Sequence, residues 1–247
     1  MRGQHDQDSG GVVATRLRRV RPQLAAVIAL GPLLGVAAVL MFGGWLPGLA
    51  VPALILAAGA GYFALHRFRP RRWPHAAAVL GAVSGAYLGL SVPAVAWMTA
   101  PLGAVLLGLL GFTVADRARR RVLLPYTAEF ADSPVEVPWP ARGARGLELL
   151  VGADRITLIG SRSRLRSARP TVDFGDVGTI EQVMVARRAT LHVPGVGELN
   201  VTVTPGPAVR IAVPPGEWIL PTDQGRDIAR LVARRKELAG EALPAHR

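Results

Sequence analysis

Between Gln23 and Leu65, and again between Trp73 and Ala115, the chain carries no Asp, Glu, Lys or Arg. Soluble helical domains do not sustain such runs, because the outer face of each helix has to meet water. Three arginine clusters flank and separate the runs: Arg16, Arg18, Arg19 and Arg21; Arg67, Arg69, Arg71 and Arg72; and Arg117, Arg119, Arg120 and Arg121. Inside each run lies a short charge-free turn, at Gly43–Gly48 and at Ser91–Pro93. A helix rises ~1.5 Å per residue and the bilayer core is ~30 Å thick, so one crossing takes roughly 20 residues. Each run therefore predicts two crossings, near Gln23–Phe42, Leu49–Leu65, Ala76–Val92 and Ala94–Ala115. The expected fold class is a four-helix transmembrane bundle over 23–115, joined to a C-terminal β-rich domain.

Positive residues near membrane spans stay on the cytoplasmic side. All twelve clustered arginines fall on one side of this alternation. The expected localisation is thus a cell (inner) membrane, multi-pass, with both termini cytoplasmic. The formal net charge of +12 divides unevenly: residues 1–121 hold 13 basic and 3 acidic residues, a net +10, and residues 122–247 hold 16 and 14, a net +2. Basicity confined to membrane flanks signals topology and attraction to anionic lipid, and argues against a nucleic-acid partner. Trp45, Trp73 and Trp97 are expected near the membrane interfaces, where amphipathic rings are favoured. Residues 1–22 read as a disordered basic N-terminus, in preference to a signal peptide, since the cationic part is long and no small-residue cleavage site follows. One lysine, Lys236, against 28 arginines fits a GC-rich bacterial coding sequence such as that of an actinobacterium.

After the last apolar run the grammar changes. Residues 116–145 form a basic juxtamembrane segment and linker, in which Pro125, Pro134, Pro138 and Pro140 prevent a long helix. A β domain over 146–240 is predicted from about seven short runs: Leu147–Val151, Arg155–Gly160, Thr171–Phe174, Thr179–Val185, Ala189–Val193, Glu198–Thr204 and Val209–Val213. A closing helix follows, with Thr222 or Asp223 as cap, Ile228, Leu231, Val232 and Leu238 as its apolar face, and Gly240 as its end. This order resembles the bacterial pleckstrin-homology-like domains found beside transmembrane helices, including the membrane-anchored YqeB-like proteins of actinobacteria. The resemblance spans about Leu147–Ala239 and is carried by the strand order, the hairpin Val151–Leu158 and the terminal helix. It implies lipid or protein binding without catalysis, and transfers no functional residue.

Four constellations stand out. Gly81, Gly85 and Gly89 recur at four-residue spacing, leaving a groove for a close helix neighbour within the bundle or, alternatively, for a second copy in a homo-oligomer. Arg67, Arg69, Arg71 and Arg72, with Arg117, Arg119, Arg120 and Arg121, form the basic membrane flank. Arg162, Arg164, Arg166 and Arg169 lie between two predicted strands; if extended, the first three share one side, where they would meet an anionic lipid headgroup or simply guard a strand edge. Asp173, Asp176 and Glu181 are acidic neighbours but span a turn at Phe174–Gly178. The histidines at 5, 66, 75, 192 and 246 are scattered, and there is no cysteine, so no metal, thiolate or cofactor site is predicted. Charged side chains inside spans mark transport paths, and the spans have none. The expected function is a non-catalytic integral membrane protein presenting its cytoplasmic domain to an anionic lipid or to a membrane or cytoplasmic protein. The alternative is a small transporter or channel component with a regulatory cytoplasmic domain.

Overall fold

The computed structural model describes residues 5–41, 46–91, 95–144, 146–163, 166–187, 189–191 and 201–242. The chain divides into two units, Met1–Tyr126 and Thr127–Arg247.

The first unit is helical: α1 (His5–Met41), α2 (Ala50–Leu65), α3 (Trp73–Leu90) and α4 (Ala96–Leu123). Two stretches, Gly11–Met41 and Ala96–Leu123, are long and apolar enough to cross a membrane; α2 is apolar but only 16 residues long. Pro52 and Pro74 occupy first turns, where a missing N–H costs no helical hydrogen bond. Pro22, Pro32 and Pro101 lie within helices that continue past them.

The N-terminal expectation needs correction. Residues 1–22 were expected to be disordered, yet α1 is helical from His5. Val13, Leu17, Val20 and Leu24 recur every three or four residues and form one stripe. Val13 and Val20 are buried, and Val20 and Leu24 join Phe63, Trp73, Ala77, Ala115, Ala118 and Val122 in one apolar cluster. Trp73 is 1% exposed and donates its indole N–H to the His66 carbonyl at 3.0 Å. It is therefore a core residue of this unit and not an interfacial anchor. Trp97 is 81% exposed, and Trp45 lies outside the described residues.

Antiparallel α3 and α4 meet along small residues. A Cβ on Gly81 would strike the Leu107 carbonyl, one on Gly85 the Gly103 carbonyl, one on Gly89 the Ala100 backbone, and one on Gly111 the Ala77 carbonyl. The backbones approach this closely because no side chain stands between them. Away from the seams the helices turn apolar side chains outward: Leu33, Leu40, Leu54, Val79 and Leu109 are all more than half exposed.

The second unit is a strand-rich region ending in a helix. Among the described residues its strands are β1 (Val137–Pro140), β2 (Glu148–Val151), β3 (Arg155–Ser163), β4 (Arg166–Ala168), β5 (Thr171–Asp173), β6 (Ile180–Val185), β7 (Ala189–Leu191), β8 (Val201–Val203), β9 (Gly206–Val213) and β10 (Gly216–Pro221). They form a five-stranded antiparallel sheet in the order β1-β2-β3-β4 with β5 also on β3, a three-stranded sheet β10-β9-β6, and the pair β7-β8. Period-two alternation explains the pairing. Val209, Ile211 and Val213 point inward from β9, and Ile211 and Val209 sit opposite Trp218 and Leu220 of β10.

The expected linker also differs. Residues 116–123 continue α4, and the segment from Thr127 belongs to the strand-rich unit, where Phe130, Val135, Val137 and Trp139 are buried. Its prolines are tolerated because among the described residues β1 pairs only with β2 and stands at a sheet edge, so Pro138 and Pro140 take no donor from an interior ladder.

Helix α5 (Gly225–Ala242) packs on β6, β9 and the turn Ala128–Asp132 through Ile228, Leu231 and Val232. Each such fully buried aliphatic side chain contributes about 1.5–3 kcal/mol. The Thr222 hydroxyl accepts the Gln224 N–H at 3.2 Å at the helix entry. The helix runs beyond Gly240 to Ala242, because a glycine ends a helix only where the chain turns into the left-handed region.

Candidate functional site

The helical unit brings all three arginine clusters to one end. Arg16 of α1 donates to the carbonyls of Val122 (3.3 Å) and Pro125 (2.8 Å), which ties the first cluster to the C-terminal end of α4. Arg120 and Arg121 lie in the last turn of α4, where the exposed carbonyls favour cations. Asp116 answers part of this charge, at 3.6 Å from Arg119 and 2.8 Å from Arg120, while Arg117 and Arg121 are exposed. The middle cluster is ordered by local bonds. His66 Nδ1 lies 3.0 Å from the Tyr62 carbonyl, and Arg72 reaches His66 Nε2 at 3.0 Å. Arg69 is exposed and Arg71 half-buried.

Beside this end a cavity of about 610 Å³ opens between α1 and the α2–α3 connection. Arg18, Arg21 and Arg67 stand at it, and Leu24, Ile28 and Phe63 are among its apolar walls. The Arg67 guanidinium lies over the Phe68 ring, 4.4 Å from its centre. Reading residues 1–22 as disordered hid this cavity. The signal that could have found it is the same three-and-four spacing of Val13, Leu17, Val20 and Leu24.

In the strand-rich unit the basic hairpin is only partly placed. Ser161 pairs with Ser167 and Ser163 with Arg166, with an irregularity between Ser161 and Ser163. Arg162 therefore belongs to β3 and Arg166 to β4, so the run is not one extended strand with three arginines on a side. Arg164 and the side chains of Arg162 and Arg166 lie outside the described residues; Arg169 is exposed. The structure places Gly81, Gly85 and Gly89 on the α3–α4 seam, against the backbone of Leu107, Gly103 and Ala100.

A second cavity, about 570 Å³, is bordered by Asp132, Asp154, Asp173, Phe174, Arg235 and Leu238. Two of its carboxylates are engaged: Asp132 accepts from Arg234 Nε at 2.8 Å and Asp154 from Arg155 Nε at 2.9 Å. Arg155 is held above its ordinary pKa by the Asp154 hydrogen bond and then by that residue's charge, and Arg234 by its hydrogen bonds to Asp132 and Glu237. Among the described residues no group of three or more His, Asp or Glu is placed to hold a metal ion.

Arg235 is the residue that sequence reasoning missed altogether. It is 2% exposed on the buried face of α5 and donates to five backbone carbonyls: Val151 and Gly152 at 2.6 Å, Val135 at 2.7 Å, and Phe130 and Ser133 at 2.9 Å. Lys236 beside it donates to the Val177 carbonyl at 2.6 Å. These bonds fasten the edge segment to the helix and are structural.

No protein-family model, curated protein or solved structure matches this chain.

Proposed function

We propose that the chain is a non-catalytic integral membrane protein whose four helices cross the inner membrane and whose strand-rich unit, read as pleckstrin-homology-like, lies on the cytoplasmic side and binds anionic lipid or a protein. The observation that carries this reading is the gathering of three arginine clusters at one end of a helical unit whose remaining surface is apolar and exposed. Lipid tails satisfy such a surface and water does not. Positive charge at one end sets the direction of insertion. Two of the helices meet the length and hydropathy expected of a span; α2 and α3 follow from the need to return the chain to the arginine side. The transport alternative has no charged side chain within the runs 23–65 and 73–115 to build on.

The reading is tested in the full-length protein. It should resist carbonate extraction, with a periplasmic reporter active when fused after Leu46 and a cytoplasmic reporter active when fused after Ala242. Cytoplasmic activity at Leu46 overturns the orientation. Photo-crosslinking residues at Arg162 and Arg169 should trap lipid or a discrete protein. An absence of adducts at both positions removes the hairpin from the binding role. Ion or solute flux above background in proteoliposomes would favour the transport reading.

A further inference from the structure

We infer that the cavity between α1 and the α2–α3 connection holds one anionic phospholipid, with its phosphate between Arg18, Arg21 and Arg67 and an acyl chain along Leu24, Ile28 and Phe63. The inference rests on the membrane reading above and names a ligand within it. Arg18, Arg21, Ala25 and Ile28 follow one another on a single face of α1, at spacings of three and four residues. Along that face the wall passes from guanidinium to aliphatic within three turns, which is the polarity of an amphiphile and not of a small soluble anion. A free phosphate would satisfy the arginines and leave the apolar walls uncovered; a phospholipid covers both. At about 610 Å³ the cavity has the size of a ligand site, enough for a headgroup and the adjoining part of a chain.

The charges are available. Asp116 is engaged by Arg119 and Arg120 on α4. Among the described residues none of Arg18, Arg21 and Arg67 contacts a carboxylate; Arg18 meets only the Thr15 hydroxyl at 3.4 Å, and Arg67 stacks on Phe68. Guanidinium groups match phosphate oxygens with paired N–H donors, which favours arginine over lysine at such a place. The walls are held by the buried cluster beneath them, since Leu24, Phe63 and Trp73 belong to both. The site is therefore formed before the lipid enters.

The test uses the full-length protein in detergent, titrated with phosphatidylglycerol and observed by native mass spectrometry. The wild type is expected to retain one phosphatidylglycerol after bulk lipid is removed, and phosphatidylcholine is expected to displace it poorly. The triple variant R18Q/R21Q/R67Q should bind about 100-fold more weakly, from roughly three surface arginine–lipid contacts. The control R69Q/R117Q/R121Q removes the same charge outside the cavity and should bind as the wild type. Ala25→Trp fills the apolar wall and keeps the arginines; it should also lose the retained lipid. Equal loss in the control, or retention in Ala25→Trp, overturns the site. So does competition by inorganic phosphate at the concentration of the lipid, which would assign a plain anion site. If the protein integrates into membranes with the expected topology but retains no lipid, this inference fails and the membrane reading stands. If it does not integrate, the membrane reading itself fails.

Discussion

Arg235 shows how a single side chain can hold a fold together from inside. A buried guanidinium is costly unless its donors are used, and here five carbonyls from two segments receive them. Replacing Arg235 by Leu strands those carbonyls in a dry interior and should cost the strand-rich unit about 3–5 kcal/mol. Hydrogen exchange of the full-length protein should show lost protection in β1, β2 and α5. Arg235→Lys should recover only part of it, because one ammonium cannot reach the span that a planar fork reaches. Arg142 is a smaller case. It donates to Asp223 at 2.6 Å and to the carbonyls of Pro205 and Pro207 at 3.1 and 3.3 Å, across a Gly206 held at φ +134°. The φ of Gly206 requires glycine, and a Cβ there would also push the guanidinium end of Arg142 aside.

At the scale of elements, the α3–α4 seam invites a paired substitution. Gly85→Leu inserts a side chain where the Gly103 carbonyl already sits, whereas Gly61 of α2 faces open space. Overpacking costs about 1–3 kcal/mol and more where backbone is the obstacle. Gly85→Leu should therefore lower the thermal midpoint of the detergent-solubilised protein clearly, and Gly61→Leu should leave it near the wild type; equal effects would deny the seam its role. Elements were legible in proportion to their local periodicity. Each of the seven runs read as strands overlaps a strand among the described residues, while 192–193 and 198–200 of two runs lie outside them. The prolines of β1 mask, in the sequence, a strand that is acceptable only at an edge, and an edge is a property of the assembled sheet. β10 was hidden by Pro214-Pro215, although Trp218 and Leu220 alternate inward from β10 as a strand should. The first turns of α1 were missed because arginines crowd the stripe of Val13, Leu17 and Val20.

At the scale of the molecule the two units have separate cores, one built on the cluster around Trp73 and the other on the strands and α5. Two unfolding transitions are expected by calorimetry in detergent, and Arg235→Leu should move one of them while leaving the other in place. A single transition displaced as a whole would show that the units fold as one. Charge divides along the same line, with a net +10 in residues 1–121 and +2 in residues 122–247. By itself the sequence determined that division, the apolar runs, the alternation of the arginine clusters and the run of strands closed by a helix. All of these follow from composition and short-range periodicity, which act between residues near in the chain. Only the tertiary structure decided that Arg18, Arg21 and Arg67 stand at one cavity, that Trp73 is interior, and that Arg235 lies in a core. Those facts depend on contacts between residues up to about a hundred positions apart, such as Arg16 with Val122 and Arg235 with Val135. Local patterning carries no record of which distant segment will supply the partner.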